Sequence, residues 1–174
     1  GVIGSNGYIG RHLIYFLYNK GIEVSSYGLN DIKNRNIPKE TSYQKVDITN
    51  KQDIDKIDFN VDYFFLFAGL SGTLDGFDNY ENYIRVNEIG LLNLLNKIKD
   101  LKKKPHCIFP SSRLVYKGSP HPLKENDEKE AKTIYAATKI SGENYLSLYS
   151  SMYKISYTIF RICVPYGNLF DDSF

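Results

Sequence analysis

Short apolar runs alternate along the chain with longer stretches in which apolar residues recur every three or four positions. The short, nearly continuous runs are typical of buried parallel strands, and the periodic stretches are typical of amphipathic helices. The expected strands cover residues 1–3, 22–27, 43–46, 62–67, 106–109 and 155–162. The expected helices cover residues 8–20, 51–57, 79–103 and a stretch that holds Tyr135 and ends near residue 153. This alternation predicts an α/β fold, a doubly wound parallel sheet with helices on both faces.

The composition places few further limits on function. The chain has 174 residues, of which 42% are hydrophobic and 24% charged, as is ordinary for one soluble domain with a continuous core. Its net charge of +2 gives no reason to expect a nucleic-acid partner. No apolar run is as long as a membrane span and no secretory signal is visible, so we expect a cytoplasmic protein without a membrane partner. The heavy use of Lys, Asn, Ile and Tyr is typical of an AT-rich genome, and we expect a bacterial source.

The clustered lysines, the cysteines and the histidines are expected to have structural roles and not to take part in catalysis or metal binding. Lys102–Lys104 are expected to close the long third helix, where their charges complement its dipole. Cys107 and Cys163 both lie in apolar, strand-like runs, so we expect two buried free thiols. The three histidines show no metal-ligand spacing with each other or with the cysteines, and we expect no metal site.

Three glycines open the chain with a spacing that suits a bound phosphate group. Gly4, Gly7 and Gly10 follow the apolar stub Val2-Ile3 and lead into a helical pattern. In a strand–turn–helix context, such glycines close the turn, let the backbone approach a pyrophosphate and let the helix pack on the sheet. The positive end of the helix dipole would face the phosphates. This context favours the phosphate site over the alternative, a plain flexible turn.

Tyr135 and Lys139 form a second motif, because residues four apart lie on the same face of a helix. A phenol has an ordinary pKa of about 10. The ammonium group of Lys139 is expected to lower the pKa of Tyr135 by about one unit or more. Beside a nicotinamide, such a phenol exchanges a proton with a substrate hydroxyl or carbonyl. A solvated helix face is the alternative for the pair alone, but the pair follows a strand-like run that ends in Ser111-Ser112.

Together these motifs resemble the extended short-chain dehydrogenase/reductase family, in its branch of NAD-dependent epimerases and dehydratases that act on nucleotide sugars. The resemblance covers nearly the whole chain. It implies a Rossmann-type fold, NAD or NADP as cofactor and a nucleotide-sugar substrate. The matching residues are Gly4, Gly7, Gly10, Asp47-Ile48, Phe67-Ala68-Gly69, Asn87, Gly90, Ser111-Ser112, Val115-Tyr116, Tyr135, Lys139, Arg161 and Tyr166-Gly167.

The resemblance also implies roles in catalysis. Tyr135 would be the acid/base, and Ser112 would hydrogen-bond the reacting oxygen, although a turn residue at the strand end is its alternative. Lys139 would tune Tyr135 and bind the nicotinamide ribose. Relatives that eliminate water place Asp-Glu directly after the catalytic hydroxyl residue. Arg113 and Leu114 stand there in this chain, so epimerisation or reduction is favoured over dehydration.

The resemblance also implies a cofactor site, which contains more residues than the catalytic set. It comprises Gly4, Gly7, Tyr8, Ile9, Gly10, Asp47, Ile48, Phe67, Ala68, Gly69, Asn87, Ser111, Tyr135 and Lys139. Asp47 would contact the adenine amino group; its alternative is to cap the helix that begins near Lys51. Ser111 would support the cofactor or the strand end.

Two positions depart from the family pattern. The acidic residue that binds the ribose hydroxyls of NAD aligns near Gly28, which has no carboxylate, and Asp31 comes three residues late. The frequent Asn after the closing Arg aligns with Val164, which puts that substrate contact in doubt. Without a carboxylate at residue 28, NADP is expected to bind at least as well as NAD. The candidate phosphate partners are Asn30, Lys33 and Arg35.

The sequence therefore favours a nucleotide-sugar epimerase or 4-keto-sugar reductase. The alternatives are an NADP-dependent carbonyl reductase on a small substrate and a non-catalytic, cofactor-binding regulatory protein. Residues 1–174 would be the NAD(P)-binding domain, truncated at both ends, with the C-terminal substrate domain largely absent. A homodimer is expected through the two long helices that contain Asn79 and Tyr135.

Overall fold

The computed structural model describes residues 1–167 and contains one six-stranded, all-parallel sheet. Its strands are β1 (Val2–Ile3), β2 (Ser25–Gly28), β3 (Ser42–Lys45), β4 (Tyr63–Leu66), β5 (His106–Ser112) and β6 (Tyr157–Ile162). Their spatial order is β3-β2-β1-β4-β5-β6. This is the strand order of the Rossmann fold, so the predicted fold class is confirmed.

Most of the helices lie in the predicted stretches, with different bounds, but the short helix Asp75–Asp78 lies outside them. They are α1 (Tyr8–Asn19), α2 (Lys51–Ile54), α3 (Asp75–Asp78), α4 (Tyr80–Tyr83), a π-helical segment (Ile84–Gly90), α5 (Leu91–Lys99) and α6 (Ile134–Tyr153). A 3₁₀ turn, Arg113–Val115, follows β5. The start of α6 is fixed by Thr133, whose side chain accepts a hydrogen bond of 3.1 Å from the Ala136 N–H.

The third predicted helix ends earlier than expected. Helix α5 stops at Lys99 because the chain must turn to enter β5 at His106, and so Lys102–Lys104 lie beyond the helix. The prediction that these lysines close the helix is wrong. Lys97 and Lys99 occupy its last turn instead, and Lys104 Nζ donates to the Leu101 carbonyl at 2.7 Å.

Apolar side chains cover both faces of the sheet. On one face, Phe64 and Leu66 pack with residues of α5 and α6, including Leu95 and Leu146. On the other face, a smaller cluster includes Ile14 of α1. Burial on both faces leaves the strand ends, and the loops that follow them, as the places where polar side chains meet.

The two cysteines differ in environment. Cys107 in β5 is a buried free thiol as predicted, and burial raises the pKa of the Cys107 thiol to about 12. Cys163 is free but exposed, so the prediction that it is buried is wrong. The reason is that β6 ends at Ile162, one residue before it.

Candidate dinucleotide and catalytic site

Two adjoining cavities lie at the carboxyl ends of the strands, where the strand order reverses between β1 and β4. Open α/β sheets bind their ligands in this crevice. One cavity, of about 370 Å³, is lined by Tyr135 and is called the Tyr135 cavity below. The other, of about 240 Å³, is lined by Asp47 and is called the Asp47 cavity. Both are bordered by Gly4, Gly7 and Gly69. A larger cavity, of about 570 Å³, lies beside Gly1 at the opposite edge of the sheet, away from this crevice.

The glycine turn forms the floor between the two cavities. Gly4 has φ +84°, and a Cβ there would lie 2.5 Å from the Ala68 backbone nitrogen. A Cβ at Gly10 would lie 2.4 Å from the Gly4 carbonyl oxygen. Gly7 precedes α1, and no side chain caps that helix. An uncapped helix N-terminus behind a glycine turn suits an anion, and these residues fit a bound pyrophosphate.

Asp47 and Ile48, which are predicted to contact adenine, both border the Asp47 cavity. Asp47 Oδ1 accepts two hydrogen bonds of 2.8 Å from the N–H and hydroxyl of Thr49. The alternative role of Asp47 as a helix cap is not realised, because Asn50 caps α2 by accepting from the Gln52 N–H. Asp47 is thus held by its own turn at the cavity wall.

Ile48 is held by two residues of the long helical segment. A Cβ at Gly90 would lie 2.6 Å from the Ile48 side chain, so only glycine permits this approach. Asn93 donates a hydrogen bond of 2.9 Å to the Ile48 carbonyl. Sequence reasoning missed Asn93, although it lies three residues after Gly90 on the same helical face.

Asn87 supports the loop after β4 rather than lining either cavity. Its side chain accepts from the Leu70 N–H at 2.7 Å, and donates to the Leu70 carbonyl and to Thr138 Oγ1 at 3.0 Å each. These bonds tie the loop that contains Gly69 to α6. The other sequence-predicted cofactor residues all line one or both cavities.

At the far end of the Tyr135 cavity, the predicted catalytic hydroxyls come together. The Ser112 hydroxyl lies near enough to the Tyr135 phenol to act on its pKa. Ser112 Oγ accepts from the Leu114 N–H at 3.2 Å, which is the alternative role expected of it as a turn residue at the strand end. The long strand β5 and the N-terminus of α6 present these two side chains to each other.

Lys139 lies one turn beyond Tyr135 and is 7% exposed. Its Nζ lies 4.8 Å from the ring centroid of Phe109 and 5.7 Å from that of Tyr135. Burial lowers the pKa of Lys139 to about 8. Burial also raises the pKa of Tyr135, and the nearby Ser112 hydroxyl offsets only part of that rise. The expected lowering of the Tyr135 pKa by Lys139 is therefore wrong here, because the same burial disfavours both charged forms.

Ser111 points away from Ser112 into a buried polar network that sequence reasoning missed. Its hydroxyl donates to Glu143 Oε1 at 2.5 Å. Arg161 donates to both oxygens of Glu143, and Lys129 donates to Oε2 at 3.2 Å. Ser111 therefore supports the end of β5, one of the two roles expected of it. The available signal was spacing, because Glu143 follows Lys139 by one helical turn.

The network decides the charge of Glu143, which is buried in α6. Burial opposes ionisation of the carboxyl. Hydrogen bonds from Arg161, Ser111 and Lys129 outweigh it, and the pKa of Glu143 lies below its ordinary value. A buried glutamate is thus kept ionised by paired donors.

Lys33, one of the predicted phosphate partners, is bound to backbone carbonyls of the loop after β2. Lys33 Nζ donates to the carbonyls of Pro38, Lys39 and Thr41 at 2.8, 2.9 and 2.8 Å. An ammonium group has three donors, so Lys33 is committed to holding the loop. The prediction that Lys33 is available to a phosphate is wrong.

Sequence and fold comparisons agree with this geometry. The whole chain, residues 1–174, matches the NAD dependent epimerase/dehydratase family. The chain belongs to this family. A search of curated proteins gave no match.

Solved structures similar to this epimerase/dehydratase family member include sugar-nucleotide epimerases. UDP-glucose 4-epimerase from Thermus thermophilus, in complex with NAD, is 25% identical with a TM-score of 0.84 over 92% of this chain and 53% of that one. UDP-N-acetylglucosamine 4-epimerase from Methanobrevibacter ruminantium, in complex with UDP-N-acetylmuramic acid, is 28% identical with a TM-score of 0.82 over 92% and 53%. UDP-glucose 4-epimerase from Brucella ovis, in complex with NAD, is 23% identical with a TM-score of 0.83 over 92% and 50%, a likeness of fold. The chain spans about half the length of these proteins.

The described part of this family member contains neither a metal-binding cluster of side chains nor a membrane-spanning helix. Within residues 1–167, no group of three or more His, Cys, Asp or Glu side chains is placed to hold a metal ion. Over the same residues, no helix combines the length and the apolar character needed to cross a bilayer.

Proposed function

We propose that this chain is the dinucleotide-binding part of a nucleotide-sugar epimerase or 4-keto-sugar reductase. The observation that carries the proposal is that Ser112, Tyr135 and Lys139 all line the Tyr135 cavity, which adjoins the glycine turn. A non-catalytic binding protein has no need for this arrangement of two hydroxyls and a buried ammonium.

Each side chain has a separate task in the proposed reaction. The bound nicotinamide supplies the hydride acceptor and donor. Tyr135 Oη takes the proton from the sugar hydroxyl that is oxidised and returns it when the carbonyl is reduced. Ser112 Oγ holds the reacting oxygen. The Lys139 ammonium is close enough to Gly69 to bind the cofactor ribose.

Epimerisation or reduction is favoured over loss of water. Elimination needs one group to protonate the leaving hydroxyl and another to remove a carbon-bound proton. Arg113 and Leu114 follow Ser112 in the 3₁₀ turn, and neither side chain does this work at neutral pH.

The cofactor is a nicotinamide dinucleotide of the NAD type. The two cavities, joined at the glycine turn, suit its two halves, and two of the similar structures contain NAD. With Gly28 in place of a carboxylate, we propose that NADP is accepted as well.

The remaining expectations are also proposals. The protein is proposed to work in the cytoplasm. A homodimer forms through the helices from α3 to α6. Exposed apolar side chains on these helices support it: Phe77, Tyr80, Ile84, Ile89, Leu148 and Met152. A Leu148→Lys variant that sediments as the same dimer as the wild type would contradict this interface.

The function is tested on the full-length protein. Addition of a UDP-sugar to the protein with NAD should change the absorbance in the reduced-nicotinamide band, and the recovered sugar should be inverted at one carbon or reduced. A spectrum and a sugar that both stay unchanged across a panel of UDP- and dTDP-sugars would overturn the proposal.

A further inference from the structure

Gly28 ends β2 at the place where dinucleotide-binding proteins of this fold carry the carboxylate that binds the ribose. It lines the Asp47 cavity together with Asn6 and Asn30. A Cβ at Gly28 would lie 2.9 Å from Tyr43 Oη and 3.3 Å from Ser5 Oγ. The space that an acidic side chain would fill at residue 28 is therefore occupied by two hydroxyl groups from other parts of the chain.

The Tyr43 hydroxyl is fixed beside the cavity by residues that line it. It donates to the Asn30 carbonyl at 2.6 Å and accepts from Asn6 Nδ2 at 3.2 Å. Asn6 is itself held, since Nδ2 also donates to the Ile32 carbonyl and Oδ1 accepts from the Asn34 N–H, both at 3.0 Å. The bond from Asn6 is the longer of the two, so a ligand hydroxyl can replace Asn6 as the donor to Tyr43.

The electrostatics of this corner suit a neutral acceptor. Burial raises the pKa of Tyr43, so its hydroxyl is uncharged at neutral pH. Asp31, the nearest acidic residue along the loop, pairs with Lys45 at 2.6 Å. Ser5 Oγ is buried and has no hydrogen-bond partner among the described residues. Such an orphaned polar atom points to a ligand group nearby.

We propose that Tyr43 replaces the missing carboxylate and that its hydroxyl accepts a hydrogen bond from the ribose 2′-hydroxyl of the dinucleotide. This inference rests on the proposed function, because it requires a dinucleotide in the crevice. A neutral phenol supplies the hydrogen bond without the charge that would repel a 2′-phosphate. Tyr43 therefore favours NAD through one hydrogen bond and leaves NADP able to bind.

Calorimetric titration of the full-length protein tests this directly, with NAD and with NAD that lacks the adenosine 2′-hydroxyl as the two probes. Tyr43→Phe keeps the ring and removes the acceptor, so it should weaken NAD binding by about two- to twelvefold, the worth of one hydrogen bond. It should leave the affinity for the deoxy probe unchanged. Tyr63→Phe is the matched control, because Tyr63 is exposed on β4 at the opposite edge of the sheet.

A second variant restores the family's charge. Gly28→Asp combined with Tyr43→Ala removes the ring that a side chain at residue 28 would strike, and the new carboxylate should lower the affinity for NADP at least tenfold while NAD still binds. The inference about Tyr43 would be overturned if Tyr43→Phe lowered the affinity for NAD and for the deoxy probe equally, or lowered neither affinity. Unchanged NADP binding in the double variant would also overturn it. Failure of the wild-type protein to bind NAD would overturn the proposed function itself, and this inference with it.

Discussion

Arg161 holds both carboxylate oxygens of Glu143, with Nε 2.9 Å from Oε1 and Nη2 2.8 Å from Oε2. The pair joins β6 to α6, the helix that presents Tyr135. Ser111, which donates to the same carboxylate, directly precedes Ser112 in β5. One buried ion pair thus fixes the helix with the phenol against the strand end with its hydroxyl partner.

We expect Glu143→Gln to destabilise the protein by about 3 kcal/mol, because it leaves the Arg161 guanidinium in a partly buried position without its counter-charge. Chemical denaturation measures the loss. Asp55→Asn is the control, since Asp55 and Lys97 form an ion pair that is exposed on both sides. Asp55→Asn should lower the free energy of unfolding by less than about 1 kcal/mol. Equal effects of the two substitutions would show that the Glu143 pair adds no more than a surface pair.

The same carboxylate predicts a loss of stability in acid. The pKa of Glu143 is lower in the folded protein than its ordinary value of 4.5. The stabilisation it provides is complete above that ordinary value and is lost as the pH falls through the folded pKa. The difference in unfolding free energy between the wild type and Glu143→Gln should therefore shrink with acidification. A difference that stays constant down to acid unfolding would contradict the paired, ionised state.

Tyr135→Phe should keep the cofactor bound and lower turnover by about a hundred- to ten-thousand-fold, the range for removal of a general acid–base group. Steady-state rates and a cofactor titration of the full-length protein provide the two measurements. Tyr149→Phe, on the same helix and away from the cavity, serves as the control. A Tyr135→Phe enzyme with the wild-type rate would exclude this residue as the acid/base.

The lowered pKa of Lys139 predicts a gain of stability in alkaline solution. Its pKa falls from 10.5 to about 8 in the folded protein, so between these values the unfolded chain binds a proton that the folded protein does not. Stability relative to Lys139→Met should therefore rise through this range, by roughly 3 kcal/mol in full. Denaturation at pH 7 and pH 10 measures it, with Lys132→Met on the exposed surface as the control. A flat difference would mean that Lys139 keeps its ordinary pKa.

NADP should bind within about tenfold of NAD, because Gly28 removes the charge that repels a 2′-phosphate. Lys33 is committed to three carbonyls, so the prediction is tested at Arg35, the other cation that the sequence analysis names as a phosphate partner. Arg35→Ala should weaken NADP binding about tenfold, the worth of one charge-assisted contact, and leave NAD binding unchanged. Lys39→Ala on the same loop is the control. A strong preference for NAD that Arg35→Ala does not alter would contradict the prediction.

Local rules were enough for the motifs that depend on neighbouring residues. The glycine spacing gave the turn, because a Cβ at Gly4 or Gly10 would strike the backbone of the same crevice. The helical repeat put Tyr135 and Lys139 on one face. The alternation of strand-like and helical segments gave the fold class, because parallel strands need helical crossovers.

Contacts between distant residues were decided only by the tertiary structure. Ser112 meets Tyr135, and Glu143 meets Arg161, because the sheet order brings α6 against β5 and β6. Burial reversed the expected pKa of Tyr135, and burial is a property of the packed molecule that spacing along a helix does not reveal. Lys33 donates to three backbone carbonyls because the folded loop brings those carbonyls around its ammonium group, and the spacing of residues along the chain does not reveal this. The sequence by itself determined most of the groups that line the crevice, with Asn87 as an exception, and the tertiary packing decided their charges and partners.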